Sequence, residues 1–324
     1  MGSLKAIPAS FFGTVLGIIG LGGSWRMAGR LWQLPHAIGE AIMLFGALVW
    51  ALLVALYVVK WVWSRDRALA EARDAVQCCF IGLAPATFAL MALAIGPYHH
   101  GVAIGLWIVG SAGQLAFGLF RSGGMWRGGR DLATVTPILF LPTVAGNFIC
   151  AIAAGTLGQP SWGVLFFGAG FFNWVVMESV ILFRLWMGAP INEPLRPAVG
   201  IQLAPPVVGS LAYLANTQGL PDLFAQAMWG YGVFQLLMLL RLAPWITRQP
   251  FAASYWAFSF GITALSTGAL HMVWRGTTGA IAVLALPAFV LANVAMIALL
   301  LGSLWRLSQG RFLPPAPVMP APGP

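Results

Sequence analysis

The chain is 324 residues long, 60% hydrophobic and only 8% charged, with a net charge of +9 and an isoelectric point near 10.3. A soluble domain carries about 25% charged residues, so a soluble enzyme or binding module is excluded. The basic surplus forms no patch interleaved with aromatics, so no nucleic-acid partner is expected. Cys78, Cys79 and Cys150 all lie in apolar segments and suggest neither a disulfide framework nor a thiolate metal site.

The start of the chain, residues 1–7, is too short and too weakly basic for a secretory signal, and its Met-Gly-Ser opening lacks the Ser or Thr at position 6 that myristoylation favours. A membrane-crossing helix needs about 20 mostly apolar residues. Ten such stretches follow, over 8–27, 36–62, 77–96, 99–120, 136–157, 161–186, 197–217, 222–246, 251–273 and 278–305. They predict an all-α integral membrane protein with one membrane domain over 8–306. The last residues, 307–324, hold P-P-A-P-V-M-P-A-P-G-P and read as a disordered proline-rich cytoplasmic tail. No G-x-x-x-x-G-K-[ST] segment occurs, which argues against transport driven by nucleotide hydrolysis.

Lysine and arginine set the orientation. With ten spans, fourteen of the 17 fall on the side of the amino terminus, and only Arg26, Arg30 and Arg275 fall on the other. Both termini are therefore expected in the cytoplasm. Tryptophans such as Trp25, Trp61, Trp63, Trp245 and Trp305 lie near the span ends, as an interfacial belt requires.

Helix breakers recur in the odd spans. Pro85, Pro142 and Pro205 are spaced 57 and 63 residues apart, a further step of 56 reaches Gly261, and a similar step back reaches Gly17. Proline frees a backbone carbonyl that hydrocarbon cannot satisfy, so these bends must face protein or a watery cavity. The odd spans also carry the small polar residues, among them Ser10, Thr14, Thr87, Thr143, Asn147, Gln202, Ser259, Thr263, Ser266 and Thr267. The even spans are smoother, though Pro287 breaks the rule. Five parallel hairpins about an axis normal to the membrane predict a quasi-five-fold ring around a central pore. Odd helices line it, kinked at Gly17, Pro85, Pro142, Pro205 and Gly261, with Thr14, Thr87, Thr143, Asn147, Ser259 and Thr263 as candidate lining. An ordinary bundle with prolines at helix contacts is the alternative.

Five segments carry a more specific signal. They are F-F-G-T-V-L-G-I (11–18), L-P-T-V-A-G-N-F (141–148), G-I-Q-L-A-P (200–205), W-G-Y-G-V-F-Q-L-L-M-L-L-R-L-A-P-W (229–245) and S-Y-W-A-F-S-F-G (254–261). In order and spacing the chain resembles the tellurite-resistance/dicarboxylate transporter family, which includes the slow-type anion channels of plant guard cells. The resemblance implies ten helices in five hairpins, a homotrimer with a pore in each subunit, and residence in the bacterial inner membrane. It implies passive conduction of small monovalent anions such as chloride and nitrate, gated by a phenylalanine of the ninth helix. In F-S-F-G that residue is Phe260, and the following Gly261 is expected to leave room for its ring. The segment M-E-S-V (177–180) departs from the family pattern, which often has proline where this chain has Ser179.

Glu178 is the one acid well inside a span, and a structural ion pair with Arg184 or Arg241 is its expected role. His36, His99, His100 and His271 are too scattered for paired haem ligands, and no nucleophile–base set stands out, so neither a cofactor nor an enzymatic activity is expected. Anion preference is attributed to the basic cytoplasmic mouth, partly offset by Asp66, Glu71, Asp74, Asp131 and Glu193. The competing function is a proton-coupled transporter of dicarboxylates, or an exporter of toxic oxyanions such as tellurite. It needs a titratable midplane group, for which Glu178 is the candidate.

Overall fold

The structure, a computed structural model, describes residues 7–312; the expected cytoplasmic start with Lys5 and the proline-rich run from Pro314 lie outside the described residues. Among the described residues the chain is helical and has no strand. In chain order the helices are α1 (Phe12–Trp32), α2 (His36–Trp63), α3 (Arg65–Arg73), α4 (Leu83–Ile95), α5 (His100–Met125), α6 (Gly146–Thr156), α7 (Pro160–Met187), α8 (Ala204–Ala215), α9 (Leu223–Ile246), α10 (Ser259–Trp274) and α11 (Ala280–Ser308).

Five of these begin with a tighter lead-in. Ala9–Phe11 precedes α1, Gln77–Gly82 precedes α4, Pro137–Phe140 precedes α6, Glu193–Leu203 precedes α8 and Ala253–Phe258 precedes α10, all as 3₁₀ turns. A π turn, Leu141–Ala145, is inserted before α6. The prolines sit where the geometry changes. Pro85 is the third residue of α4, Pro205 the second of α8 and Pro142 the second of the π turn. A proline in the first turn gives up an N–H that the α pattern does not need there. The breakers thus mark junctions between two helical geometries. The π turn is tied to its neighbour, for Gln114 Nε2 on α5 donates to the Pro142 carbonyl at 2.7 Å.

At Gly17 no such junction occurs: α1 runs through it unbroken. Its requirement is space, because a side chain there would strike the Cβ of Ser259 on α10. Gly261 is likewise a close-approach residue, with the Ala204 backbone nitrogen 3.1 Å from where a Cβ would stand.

The five helices with lead-ins touch in a closed circuit, α1 to α4, α4 to α6, α6 to α8, α8 to α10 and α10 back to α1. Each helix that follows one of them packs on it: α2 on α1, α5 on α4, α7 on α6, α9 on α8 and α11 on α10. Eight stretches are long and apolar enough to cross a membrane. Three belong to the circuit, and 61–94% of their most apolar length is buried, against 22–33% for the five peripheral helices. The other two expected spans fall on α1 and on α10 with its lead-in.

Candidate functional site

Two cavities occupy the interior of the circuit. The first, about 770 Å³, is bordered by the starts of the inner helices, through Gly13, Leu83, Val144, Ala204 and Ala257. The second, about 1140 Å³, is bordered by their ends, through Met27, Leu93, Thr156, Ala215 and His271. The five inner helices therefore run parallel, with all starts at one cavity and all ends at the other.

Phe260 borders both cavities. On three of the other inner helices the lining passes from one cavity to the other within four residues. Leu16 gives way to Ile19 on α1, Phe148 to Ile152 on α6, and Val208 to Leu211 on α8. This collar is wholly apolar. The Phe260 ring lies against Gly20 of α1, its Cδ2 3.6 Å from where a Cβ would stand. Gly20 chiefly makes room for Thr263, whose hydroxyl a side chain there would strike, and Gly261 brings α10 against Leu203 and Ala204.

The small polar residues expected along the path occupy other places. Thr14, Thr87, Thr143, Asn147, Ser259 and Thr263 are buried and border neither cavity. Thr14 donates to the Phe11 carbonyl at 2.7 Å, Thr87 to Ala84 at 2.7 Å, Ser259 to Trp256 at 2.7 Å and Thr263 to Ser259 at 2.9 Å. Asn147 donates to the Thr143 carbonyl at 2.6 Å, and Thr143 turns to the Met177 sulfur. Such back-bonding to a carbonyl three or four residues earlier satisfies a hydroxyl inside an apolar helix. Thr87 also accepts from Trp50 Nε1 at 3.1 Å, and Ser24 shares a 2.5 Å hydrogen bond with Ser266, joining α1 to α10.

Glu178 has no ion-pair partner among the described residues, contrary to the expected bridge to Arg184 or Arg241. It accepts from Trp174 Nε1 at 3.1 Å, Tyr231 OH at 2.8 Å and Gln235 Nε2 at 3.1 Å. Three neutral donors from α7 and α9 suffice to satisfy a carboxylate. It borders neither cavity.

Charged residues border both cavities. Beside the first cavity Lys60 pairs with Glu71 at 2.6 Å, both buried, and Glu71 also accepts the Ala9 N–H at 2.7 Å. This fastens α3 to α2 and to the lead-in of α1. The second cavity is bordered by Arg26, Arg30 and Arg275, the three basic residues that the charge count sets apart from the other fourteen. Their convergence is not readable from the chain, since α1 and the turn after α10 meet only in the folded bundle.

The sequence pattern of the voltage-dependent anion channel family matches residues 6–304. The tellurite resistance protein TehA homolog of Haemophilus influenzae is 32% identical over 307 residues, 94% of this chain and 92% of that protein. An uncharacterized transporter of Methanocaldococcus jannaschii is 23% identical over 299 residues, 84% of this chain and 85% of that one. The guard cell S-type anion channel of Arabidopsis thaliana is 22% identical over 282 residues, 82% of this chain and 50% of the plant protein.

Proposed function

The chain belongs to the voltage-dependent anion channel family, and on that premise we propose that it is a passive anion channel of the bacterial inner membrane, gated by Phe260. It conducts small monovalent anions, chloride and nitrate, along the axis of the inner helices. Ten crossings in five hairpins form the quasi-five-fold ring, both termini are cytoplasmic, and three copies assemble with one pore each.

The observation that carries this reading is the position of Phe260 on the border of both cavities, inside an apolar collar. An anion crossing such a collar must shed its hydration with no polar group to replace it, which costs several kcal/mol at least. A ring that swings aside lets water through and removes that barrier. Charge selection follows from the parallel inner helices. Each presents its partially positive amino end, about half a unit charge, toward the first cavity. The basic residues of that mouth add to the field and concentrate anions there. A proton-coupled transporter would need a titratable group on the path, and Glu178 stands off it with its donors already supplied.

The test is anion current from Phe260→Ala in oocytes or liposomes. The channel reading expects a rise over wild type, without dependence on a proton gradient. Flux that follows the proton gradient and saturates at low substrate would replace this reading by the coupled one.

A further inference from the structure

The parallel inner helices create a difficulty at the second cavity. Five carboxyl ends converge there, and the carbonyls of a helix end carry partial negative charge that repels anions. Arginines cover two of these ends. Arg26 donates to the carbonyls of Leu93 and Ala94 at the end of α4, at 2.8 and 3.0 Å. Arg275 donates to Leu214 at the end of α8 at 3.0 Å, and to Gly219 at 2.7 Å.

The three arginines differ in what offsets their charge. Arg26 is matched by Glu40 at 2.7 Å, which also accepts from Tyr98 OH at 2.6 Å. Arg275 hydrogen-bonds only to neutral groups, and the Asp222 carboxylate, held by Tyr213 and the Ala225 N–H, offsets part of its charge without touching it. Arg30 is exposed and makes no hydrogen bond or ion pair among the described residues. Both Arg30 and Arg275 stand close enough to His271 for their charges to act on it. No Asp or Glu borders this cavity among the described residues. Two guanidinium groups, Arg30 with no partner among the described residues and Arg275 only partly offset, thus border a 1140 Å³ space whose floor is Phe260.

We propose that this vestibule is an anion-binding station, in which Arg30 and Arg275 hold a small, weakly hydrated monovalent anion, a halide or a planar oxyanion, above the Phe260 collar. It deepens the channel reading, on which its role in conduction rests. A planar guanidinium offers paired N–H donors that fit an oxyanion and also attract a halide. The site is roomy and wet, so the hold is loose, as a conducting station requires. Arg30, free of structural duties, is the capturing charge. Arg275 serves twice, since its other N–H groups cap α8.

Binding can be read without conduction, through the excess line broadening that the purified protein in neutral detergent imposes on the chloride NMR signal. Wild type should broaden the line, and nitrate should reverse the broadening by competition. Arg30→Gln should remove at least about half of the vestibule's share, having lost the one of the two charges that nothing offsets. Arg30→Lys should retain it, and Arg30→Gln with Arg275→Lys should match Arg30→Gln alone. Broadening that is the same in Arg30→Gln as in wild type would overturn the station, whatever Phe260→Ala does to the current. Broadening sensitive to Arg30 in a protein whose Phe260→Ala variant passes no current would keep the station and remove the channel.

Discussion

The stretches Pro137–Thr156 and Pro160–Met187 follow one another in the chain and are both apolar enough to cross a membrane. Yet 94% of the most apolar part of the first is buried, and 22% of the second. Hydrophobicity cannot sort them, because lipid tails are as apolar as leucine. What differs is side-chain size and backbone regularity. The inner stretch changes helical geometry at Pro142 and presents Gly146, Cys150, Ala151, Ala153 and Ala154 to its neighbours, all buried. The peripheral helix is one continuous α-helix and leaves Trp162, Phe172, Phe183 and Trp186 exposed. Inner helices are selected for close approach, and peripheral ones for a smooth apolar outer surface.

The sharpest way to break that contrast is to add bulk on each side of it. Gly17→Leu drives a side chain into Ser259 across the α1–α10 contact and should destabilise the protein by about 3 kcal/mol. Gly105→Leu on α5 meets nothing within 4 Å and should change stability by less than about 0.5 kcal/mol. Unfolding midpoints in detergent compare the two. Equal losses would mean that inner packing is no tighter than peripheral packing.

Glu178 sharpens the comparison from the other side, as a polar group buried between two peripheral helices. Glu178→Leu strands three donors and should cost about 2 kcal/mol, whereas Glu178→Gln keeps an acceptor and should cost about 1 kcal/mol or less. Were Glu178 instead one half of an ion pair, the Gln variant would lose nearly as much as the Leu variant. A smaller effect is expected at Asp222, which caps α9 through the Ala225 N–H at 3.0 Å. Asp222→Ala should cost about 1 kcal/mol at neutral pH. The Tyr213 hydroxyl and the Ala225 N–H hold the Asp222 carboxyl below its usual range. Its contribution is therefore complete above the unfolded value of about 4 and is lost as the pH falls through the lowered folded value. The gap between variant and wild type should close in that acid window and nowhere above it.

Much of the architecture was legible because membrane helices announce themselves by length and by breakers. Pro85, Pro142 and Pro205 pointed to the inner helices, and the expected spans lie within a few residues of the observed helical stretches. The facing of each residue was not legible. An inner helix is apolar on every side, so it carries no amphipathic stripe to orient it. Thr87 and Ser259 look like pore residues in the sequence, but each satisfies its hydroxyl on a carbonyl three residues earlier and borders neither cavity. Gly17 and Gly261 read as helix breakers, while their neighbours show that they allow helices to touch. Arg30 and Arg275 lie 245 positions apart and meet only through the circuit of helices.

The account turns on one ring. Phe260 on the inner circuit should control conduction, while Phe172, exposed on α7, should not. The direct test is anion current through liposomes carrying wild type, Phe260→Ala or Phe172→Ala at equal protein density. The account predicts a rise of about tenfold or more for Phe260→Ala, as the dewetted barrier disappears, and wild-type current for Phe172→Ala. Equal currents from all three proteins would contradict it.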